Sequence, residues 1–558
     1  MRIVAPAVVA LVALAIAPGL LFGFDITPKV VVILVGAALA LPLAANGLPD
    51  LWRTRLGRWF LIVAAVQCGS LILATAWSSH GDLSLGGTNW RRFGAVTQIG
   101  IVGLAGCVAA TPGIARGVLR AATASGAVAA AYGVAQYFGW DPLIPASAYH
   151  VGEGEWTIVR PPGTMGYVTY FGNYLVHVVF FGLATAGRDE SRRWRMSGSI
   201  AAATAAVAIV LSGTRAAMLG LAAGAVLWLW SRRPSLGPRL VAACAIALAL
   251  AAAFYLSPAG LKLRARARWI AEDPRGGARI ELWRDSLRMG AARWATGAGI
   301  ETFSSEFPRH QSAELARAYP EFYYESPHNI FLDAWTAQGV FGVVALAALG
   351  AVGLAGAPWG RPVLVASLVA HQFGVFTAPT ALIFWVTVAI LVAAESPARR
   401  PPVSLATLPI SLLLAAFALR LAAAEWLLER VKRSLVADRI VEAQQAYATF
   451  RRVKPIGVSA DLWYSRALAD AVGKSADVAV RLKSWPQAAD AARRATATDE
   501  NRASALYNYA VFLGVQNDAT GTEQALRRAI EAAPQWRKPR EMLARVLAAR
   551  DVKSPAPE

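Results

Sequence analysis

Long apolar runs through residues 1–425 constrain the fold of this chain more than any other feature. A run of about 20 apolar residues crosses the hydrocarbon core as a helix, because lipid offers no partner to an unpaired backbone group. We count about thirteen such runs. They lie near 4–23, 28–46, 58–77, 94–112, 117–139, 164–186, 197–212, 214–231, 238–257, 328–354, 360–377, 381–395 and 404–425. The sequence therefore predicts an all-α, polytopic membrane protein with a transmembrane domain over 1–425.

The last part of the chain has a different composition. The whole chain is 56% hydrophobic and only 16% charged, whereas a soluble protein carries about a quarter charged residues. Residues 426–558 read like an ordinary soluble segment, and 436–550 are rich in Ala, Leu, Arg and Glu. We therefore expect a separate helical domain after the last span.

A faint repeat lies in this helical segment. The stretch AARRATATDEN at Ala491–Asn501 recurs as LRRAIEAAPQW at Leu526–Trp536. Helix pairs repeating at about 35 residues resemble tetratricopeptide repeats, which stack and offer a concave surface to a protein partner. The positions that fit the pattern are Leu506, Tyr509, Ala510, Leu513, Leu526, Ala529 and Pro534. The alternative is a helical tail that only packs on the membrane domain.

The net charge of +20 admits two interpretations. A basic protein can bind nucleic acid, but Lys and Arg also collect in the cytoplasmic loops of membrane proteins. With the N-terminus in the cytoplasm, every even-numbered loop is short and basic, which favours the second interpretation and predicts no nucleic-acid partner. The arginines concerned are Arg53, Arg55, Arg116, Arg120, Arg188, Arg192, Arg193, Arg195, Arg232, Arg233, Arg361, Arg399 and Arg400.

The other loops are longer, notably 140–163 and 258–327. These loops then lie outside, and with an odd number of spans so does the segment after 425. The short run 381–395 is the weakest of the spans, so the side of the C-terminal segment depends on it.

His328 is the first candidate for chemistry. It lies in Ser326-Pro327-His328-Asn329, at the start of the run 328–354. Ser326 is predicted to cap the helix and Pro327 to open it. His328 would then sit in the first turn, where the helix dipole disfavours imidazolium and leaves a neutral base. The alternative is a histidine that only caps the helix or lies at the membrane interface.

Two arginines begin other outer segments. Arg215 follows Ser212-Gly213-Thr214, and its place at a helix N-terminus opposes the dipole, which suggests an anionic partner such as phosphate. Snorkelling to lipid headgroups is an equal alternative. Arg160 precedes Pro161-Pro162-Gly163-Thr164, and Tyr170 and Asn173 follow on the next span as possible supporting residues. A plain loop-to-helix junction would explain this motif too.

The fourth feature is RIELWRDSLRMGAARW, from Arg279 to Trp294. Ile280, Trp283 and Leu287 fall on one face of an amphipathic helix that could lie on the membrane, with its arginines near phosphates or simply solvated. The aromatic cluster Phe322, Tyr323 and Tyr324 stands beside Glu321 and Glu325. That combination is found in sugar sites and in membrane-interface belts.

Several classes are disfavoured. There is no P-loop, GxSxG or HExxH motif, and Cys68, Cys107 and Cys244 show no metal spacing. We expect no metal, no cofactor and no disulfide framework. The spans contain neither charges nor breaks at mid-membrane, which counts against a lipid-linked glycan flippase or another transporter.

Taken together, these motifs resemble the bacterial superfamily of O-antigen ligases and O-antigen polymerases. The pattern that carries the resemblance is His328-Asn329 followed by Gly339 and Gly342, on a span after a large outer loop. It is preceded by RIELW from Arg279, Gly297-Ala-Gly299, Arg215 in SGTRAAMLG and Arg160 in RPPGTMGY. The resemblance covers residues 90–400, and simple ligases lack the repeat-like tail.

The resemblance implies an inverting, metal-independent glycosyltransferase in the bacterial inner membrane, with its active site in the periplasm. The odd number of spans places the C-terminal segment on the same side. Its donor would be a glycan on undecaprenyl diphosphate. The acceptor would be a lipid for a ligase, a second glycan for a polymerase, or a protein hydroxyl for a protein O-oligosaccharyltransferase. His328 would be the base that deprotonates the acceptor. Arg215, Arg279 and Arg160 would bind the diphosphate, with Asn329, Trp283, Tyr170 and Asn173 in support.

Overall fold

The structure is a computed structural model. It describes residues 1–21, 25–151, 157–232, 238–272, 277–320, 323–393, 403–475 and 477–553. Within these ranges the regular secondary structure is helical apart from one short hairpin, in which β1 (His150–Val151) pairs antiparallel with β2 (Ile158–Val159). The predicted all-α class is confirmed.

The helices follow the apolar runs and the outer segments between them. In chain order they are α1 (Val4–Leu14), α2 (Thr27–Ala44), α3 (Leu48–Arg53), α4 (Arg55–Ala76), α5 (Gly81–Gly86), α6 (Ala95–Ala109), α7 (Ala115–Tyr137), α8 (Val168–Arg188), α9 (Arg192–Ser212), α10 (Arg215–Arg232), α11 (Pro238–Leu256), α12 (Leu261–Glu272), α13 (Arg279–Ala292), α14 (Phe303–Glu306), α15 (Ala313–Ala318), α16 (Ile330–Ala355), α17 (Arg361–Ala370), α18 (Ala378–Val392) and α19 (Leu408–Val436). The C-terminal segment adds α20 (Ile440–Val453), α21 (Asp461–Lys474), α22 (Val478–Thr498), α23 (Arg502–Val515), α24 (Ala519–Ala532) and α25 (Arg537–Lys553).

Counting helices by their length and hydropathy gives fewer membrane spans than counting apolar runs in the sequence. Among the described residues, 7 helices are long and apolar enough to cross a bilayer. Shorter apolar helices occupy Val4–Leu14, Ala95–Ala109 and Ala378–Val392. Each apolar run contains a helix, but the count of about thirteen spans stays a prediction.

The short basic loops lie at one end of the helix bundle. At this end Arg116 pairs with Glu190 at 2.5 Å and Arg120 pairs with Asp189 at 2.7 Å, which joins the start of α7 to the end of α8. A cavity of about 780 Å³ opens there, lined by several basic residues. The described arginines of the even-numbered loops lie at this end, while Arg233, Arg399 and Arg400 fall outside the described residues. The site discussed below lies at the opposite end.

Helix α16 is broken, contrary to the expectation of uninterrupted spans. Gly339 has φ +65° inside the helix, and there the carbonyls of Thr336 and Ala337 accept hydrogen bonds from the amides of Ala298 and Gly299. A Cβ on Gly339 would lie 2.5 Å from the carbonyl oxygen of Trp294, so only glycine fits. The segment after α13 is thereby hydrogen-bonded into the break, which protein rather than lipid covers.

Helix α13 forms nearly as predicted but ends at Ala292, and its contact with the membrane stays a prediction. Ile280 and Leu287 are exposed, whereas the indole of Trp283 turns towards the bundle. Arg284 and Arg288 lie 3.5 and 3.4 Å from the carboxylate of Asp285. The buried side of the helix therefore contains a charged group that pairs with the arginines.

The C-terminal helices continue directly from the membrane part. Helix α19 runs unbroken to Val436, beyond the predicted end of the last span at residue 425. Ala510 and Leu513 of α23 pack with Leu526 of α24, and Leu506 of α23 packs with Ala529 of α24. These positions face a shared core, as the repeat pattern requires. The tetratricopeptide form itself stays a prediction.

Candidate functional site

The turn before α16 places His328 outside the helix. The helix begins at Ile330, and the side chain of Asn329, not Ser326, caps it by accepting from the amides of Phe331 and Leu332 at 2.9 and 3.1 Å. The prediction that Ser326 caps the helix and that His328 occupies its first turn is wrong. Asn is as good a cap as Ser, and Asn329 also donates to the carbonyl of Gln372 at 3.1 Å.

His328 adopts φ +51°, in the left-handed region, which a residue with a Cβ rarely occupies. Two contacts hold the turn in this conformation. The indole of Trp283 donates to the carbonyl of Pro327 at 3.0 Å, and Ser326 Oγ lies 3.4 Å from Nδ1 of His328. Among the described residues Nε2 has no hydrogen-bond partner, so this nitrogen is available to a substrate.

The predicted neutral state of His328 holds, but for a different reason. Burial, together with the charges of Arg279 and Arg91, lowers the pKa of His328 to about 4. The helix dipole is not needed, since the ring lies outside the helix. An imidazole with this pKa is unprotonated at neutral pH and can accept a proton.

The arginines predicted from the sequence gather around a further one, Arg266 of α12. Burial and the charges of Arg160, Arg215 and Arg279 lower the pKa of Arg266 to about 10. Its Nε donates to the carbonyl of Gly213 at 3.2 Å, in the turn that precedes Arg215. Cations depress one another's pKa only at close range, so these arginines form one cluster.

Trp269 joins two members of this cluster. The guanidinium of Arg266 lies 4.2 Å from the centroid of the Trp269 ring, and that of Arg160 lies 5.9 Å from it. Within the described residues neither arginine has a carboxylate partner, and Nε of Arg160 and Nη1 of Arg266 are buried without a hydrogen bond. A buried cation without a counter-charge is costly. An anionic ligand with several oxygens would remove that cost.

A second charged group lies between the cluster and the C-terminal helices. Arg91 is buried, with Nε 2.6 Å from Glu301 and Nη1 3.0 Å from Asp333. Burial opposes the charge on Arg91, but the two carboxylates outweigh it and hold the pKa above its ordinary value. Since Arg91 also acts on His328, it belongs to the site.

An aromatic row connects Arg91 to Arg160. The rings of Trp90 and Tyr170 stack at 6.4 Å, and Tyr170 lies 5.4 Å from Tyr167. At its ends the guanidinium of Arg91 lies 4.9 Å from the Trp90 ring, and that of Arg160 lies 5.8 Å from the Tyr167 ring. Tyr170 thus lies between Trp90 and Tyr167, and its supporting role stays a prediction.

Asn173, predicted as a supporting residue, lies deeper. It is fully buried beside Gly374, and its amide has no partner among the described residues. It does not contact the arginine cluster.

The rim of the site carries Tyr323 and Glu325, both exposed. Burial by neighbouring groups raises the pKa of Glu325, Arg91 opposes this shift and Glu301 adds to it. Glu321 and Phe322 fall outside the described residues.

Sequence reasoning missed Arg91 and Arg266. Both sit in basic stretches, WRRFG and LKLRARARW, whose arginines could equally have been solvated. Among the described residues no group of three or more His, Cys, Asp or Glu side chains is placed to hold a metal ion.

Residues 200–347 match the sequence model of the family described as O-antigen ligase. This match begins in α9 and ends in α16, so it contains Arg215, Arg266, Arg279 and His328. It supports ligase-type glycan transfer, and hence an enzyme, in general. Arg91, Arg160, the aromatic row and the C-terminal helices lie outside the O-antigen ligase match. No curated protein matches the chain.

Proposed function

We propose that this chain transfers a glycan from undecaprenyl diphosphate to an acceptor hydroxyl, with inversion and without a metal, on the periplasmic side of the bacterial inner membrane. The observation that carries the proposal is the arginine cluster around Arg266, beside a histidine that is neutral at physiological pH. Arg279 acts on both groups, so the anion site and the base are neighbours.

The arginines act on the leaving group. As the bond between the anomeric carbon and the diphosphate oxygen breaks, the electron pair and its negative charge move onto the diphosphate. Fixed cations that pair better with this growing charge lower the barrier, and a site that is partly closed to water strengthens their effect. Arg160, Arg215, Arg266 and Arg279 are the residues that we assign to this role.

His328 acts on the acceptor. Nε2 takes the hydroxyl proton while the acceptor oxygen forms a bond to the anomeric carbon from the face opposite the diphosphate. A single displacement of this kind inverts that carbon. The proton then passes from the imidazole to water, which restores the base.

The positions of the basic loops support the proposed location. The site lies at the end of the bundle opposite the basic loops, and lysine and arginine favour the cytoplasmic side. The donor lipid would reach the cluster from the membrane, with its isoprenoid chain left in the hydrocarbon region. The adjoining aromatic row offers ring faces to the first sugar.

Full-chain variants expressed in a deletion strain test the proposal. We expect His328→Ala and Arg266→Ala to abolish glycan transfer while the protein still accumulates in the membrane. His310→Ala is the matched histidine control, and Arg268→Ala, which replaces an exposed partner of Glu272 on the same helix, is the arginine control. Normal transfer in both test variants would refute the function.

The same strain identifies the acceptor. Loss of attachment with long lipid-linked chains indicates a ligase, whereas accumulation of single lipid-linked repeat units indicates a polymerase. Glycoproteins that lose their glycan indicate a protein O-oligosaccharyltransferase.

A further inference from the structure

Helix α19, which leads into the C-terminal helices, is attached to the end of the bundle that carries the site. Arg92 Nη2 lies 2.8 Å from Glu425 of α19, and both side chains are buried. The hydroxyl of Thr27 donates to the same carboxylate at 3.2 Å. Helix α19 therefore leaves the bundle beside residues 88–92, which we call the Arg91 segment.

A first part of the C-terminal segment then packs against this region at backbone distance. A Cβ on Gly457 would lie 2.1 Å from the carbonyl oxygen of Asp82, and one on Gly86 would lie 2.3 Å from that of Ile456. The side-chain amide of Asn89 donates to the carbonyl of Ser459 at 2.9 Å. Contacts this close fix the position of one backbone against the other.

A second part is the turn between α22 and α23. The carboxylate of Glu500 accepts from the backbone amide of Asn89 at 2.6 Å. The carbonyl of Glu500 accepts from the hydroxyls of Ser304 and Ser305 at 3.0 and 2.6 Å. Burial and the nearby Asp499 raise the pKa of Glu500 to about 8. A protonated or amide side chain can make the same acceptor contact.

The Arg91 segment is held on its other side by the site itself. Thr88 donates its amide and its hydroxyl to Glu301, the carboxylate that also binds Arg91. Arg92 and Glu301 have φ +49° and +62°, in the left-handed region. Such backbone persists only where the surroundings determine it, and the contacts of the C-terminal helices are part of those surroundings.

We infer that the C-terminal helical segment is a structural part of the transfer site, in which Glu500 and the Gly457 contact position Arg91 beside Asp333 and His328. The inference rests on the proposed function. It assigns to these helices a role within the chain, in addition to any recruitment of a protein partner. Glu500 is a positioning residue, because it reaches the base only through the Arg91 segment.

Two pairs of full-chain variants test this role. Glu500→Ala removes the acceptor, and Glu500→Gln restores it; Gly457→Ala forces the two backbones apart, and Gly473→Ala, at a position with no neighbouring atom, is its control. Glu541→Ala is a control for loss of an exposed carboxylate in the same segment. The substrate is the lipid-linked glycan that the deletion strain accumulates, assayed in detergent with the purified protein.

We expect Glu500→Ala and Gly457→Ala to lower kcat by about a hundredfold, as misplacement of a catalytic environment by about 1 Å does. KM for the donor should stay unchanged, because the arginine cluster is elsewhere. The acidic limb of the pH profile should move to higher pH, since a displaced Arg91 no longer opposes protonation of His328. Glu500→Gln, Gly473→Ala and Glu541→Ala should behave as wild type.

A wild-type kcat and an unmoved acidic limb in both Glu500→Ala and Gly457→Ala would overturn the inference. That result would leave the proposed function intact as long as His328→Ala is inactive. Full transfer by His328→Ala would instead remove the proposed function, whatever the Glu500 variants do.

Discussion

Replacing Arg266 by methionine should separate stability from activity. Burial, and after it the charge of Arg160, lowers the pKa of Arg266 from its ordinary value to about 10. Because neutral pH lies well below that pKa, the charged form and its full cost are present. At 1.36 kcal/mol per pKa unit the cost is about 3 kcal/mol.

Methionine keeps much of the apolar stem and removes the charge. It loses the hydrogen bond to Gly213, which contributes about 1 kcal/mol. The expected balance is a gain of about 2 kcal/mol in the ligand-free protein, seen as a higher Tm in detergent. Transfer should fall by about a hundredfold to a thousandfold, the usual effect of removing one group that stabilises developing negative charge.

The assay compares Tm and initial rate of transfer for Arg266→Met, Arg266→Lys and the wild type. Lysine retains the charge, so its Tm should not rise. The reasoning is refuted if Arg266→Met unfolds at a lower temperature than the wild type while transferring glycan at the wild-type rate.

Three further predictions concern the turn at His328 and the break in α16. Because the pKa of His328 is lowered to about 4, the rate of transfer should be constant from about pH 5 to neutrality and fall below about pH 4; a limb near pH 6.5 would contradict the assigned environment. Asn329→Ala should destabilise the protein by about 1 kcal/mol in thermal unfolding, whereas Asn329→Asp should retain the cap, and equal Tm values for the two would contradict the capping role. Gly339→Val should abolish membrane accumulation on an immunoblot, because its Cβ would meet a backbone carbonyl at 2.5 Å, while Gly350→Ala, in ordinary contact with Leu368, should accumulate normally.

The sequence is most informative where an unusual residue type stands at a defined position in a helical pattern. Arg215, Arg279 and His328 are candidates in the sequence because each stands at the boundary of a periodic segment, where a charged or basic side chain is unusual, and their roles stay predictions. The all-helical class follows from the apolar runs for a similar reason, since lipid permits little else. The number of true spans could not be fixed, because helices such as α1 and α18 are too short for length alone to decide.

Contacts between segments that lie far apart in the chain could not be predicted from the sequence. Arg266 and Arg91 differ from their neighbours Arg268 and Arg92 only in the residues that surround them in the folded chain. The helix cap was assigned to Ser326 because Ser and Asn have similar capping propensity, and only the geometry of the turn distinguishes them. The break at Gly339 was missed because an isolated glycine is tolerated inside many apolar helices.

The hydrogen bonds between residues 298–299 and the broken part of α16 have a consequence for how the protein responds to its membrane. They join the chain that carries Arg279 to the helix that follows His328 through protein contacts alone. A thicker or thinner bilayer changes the tilt of a spanning helix and the depth of its ends. Here Arg279 and His328 would move together. The spacing between these two residues should therefore be the same in short-chain and long-chain lipids, even where their depth below the headgroups changes.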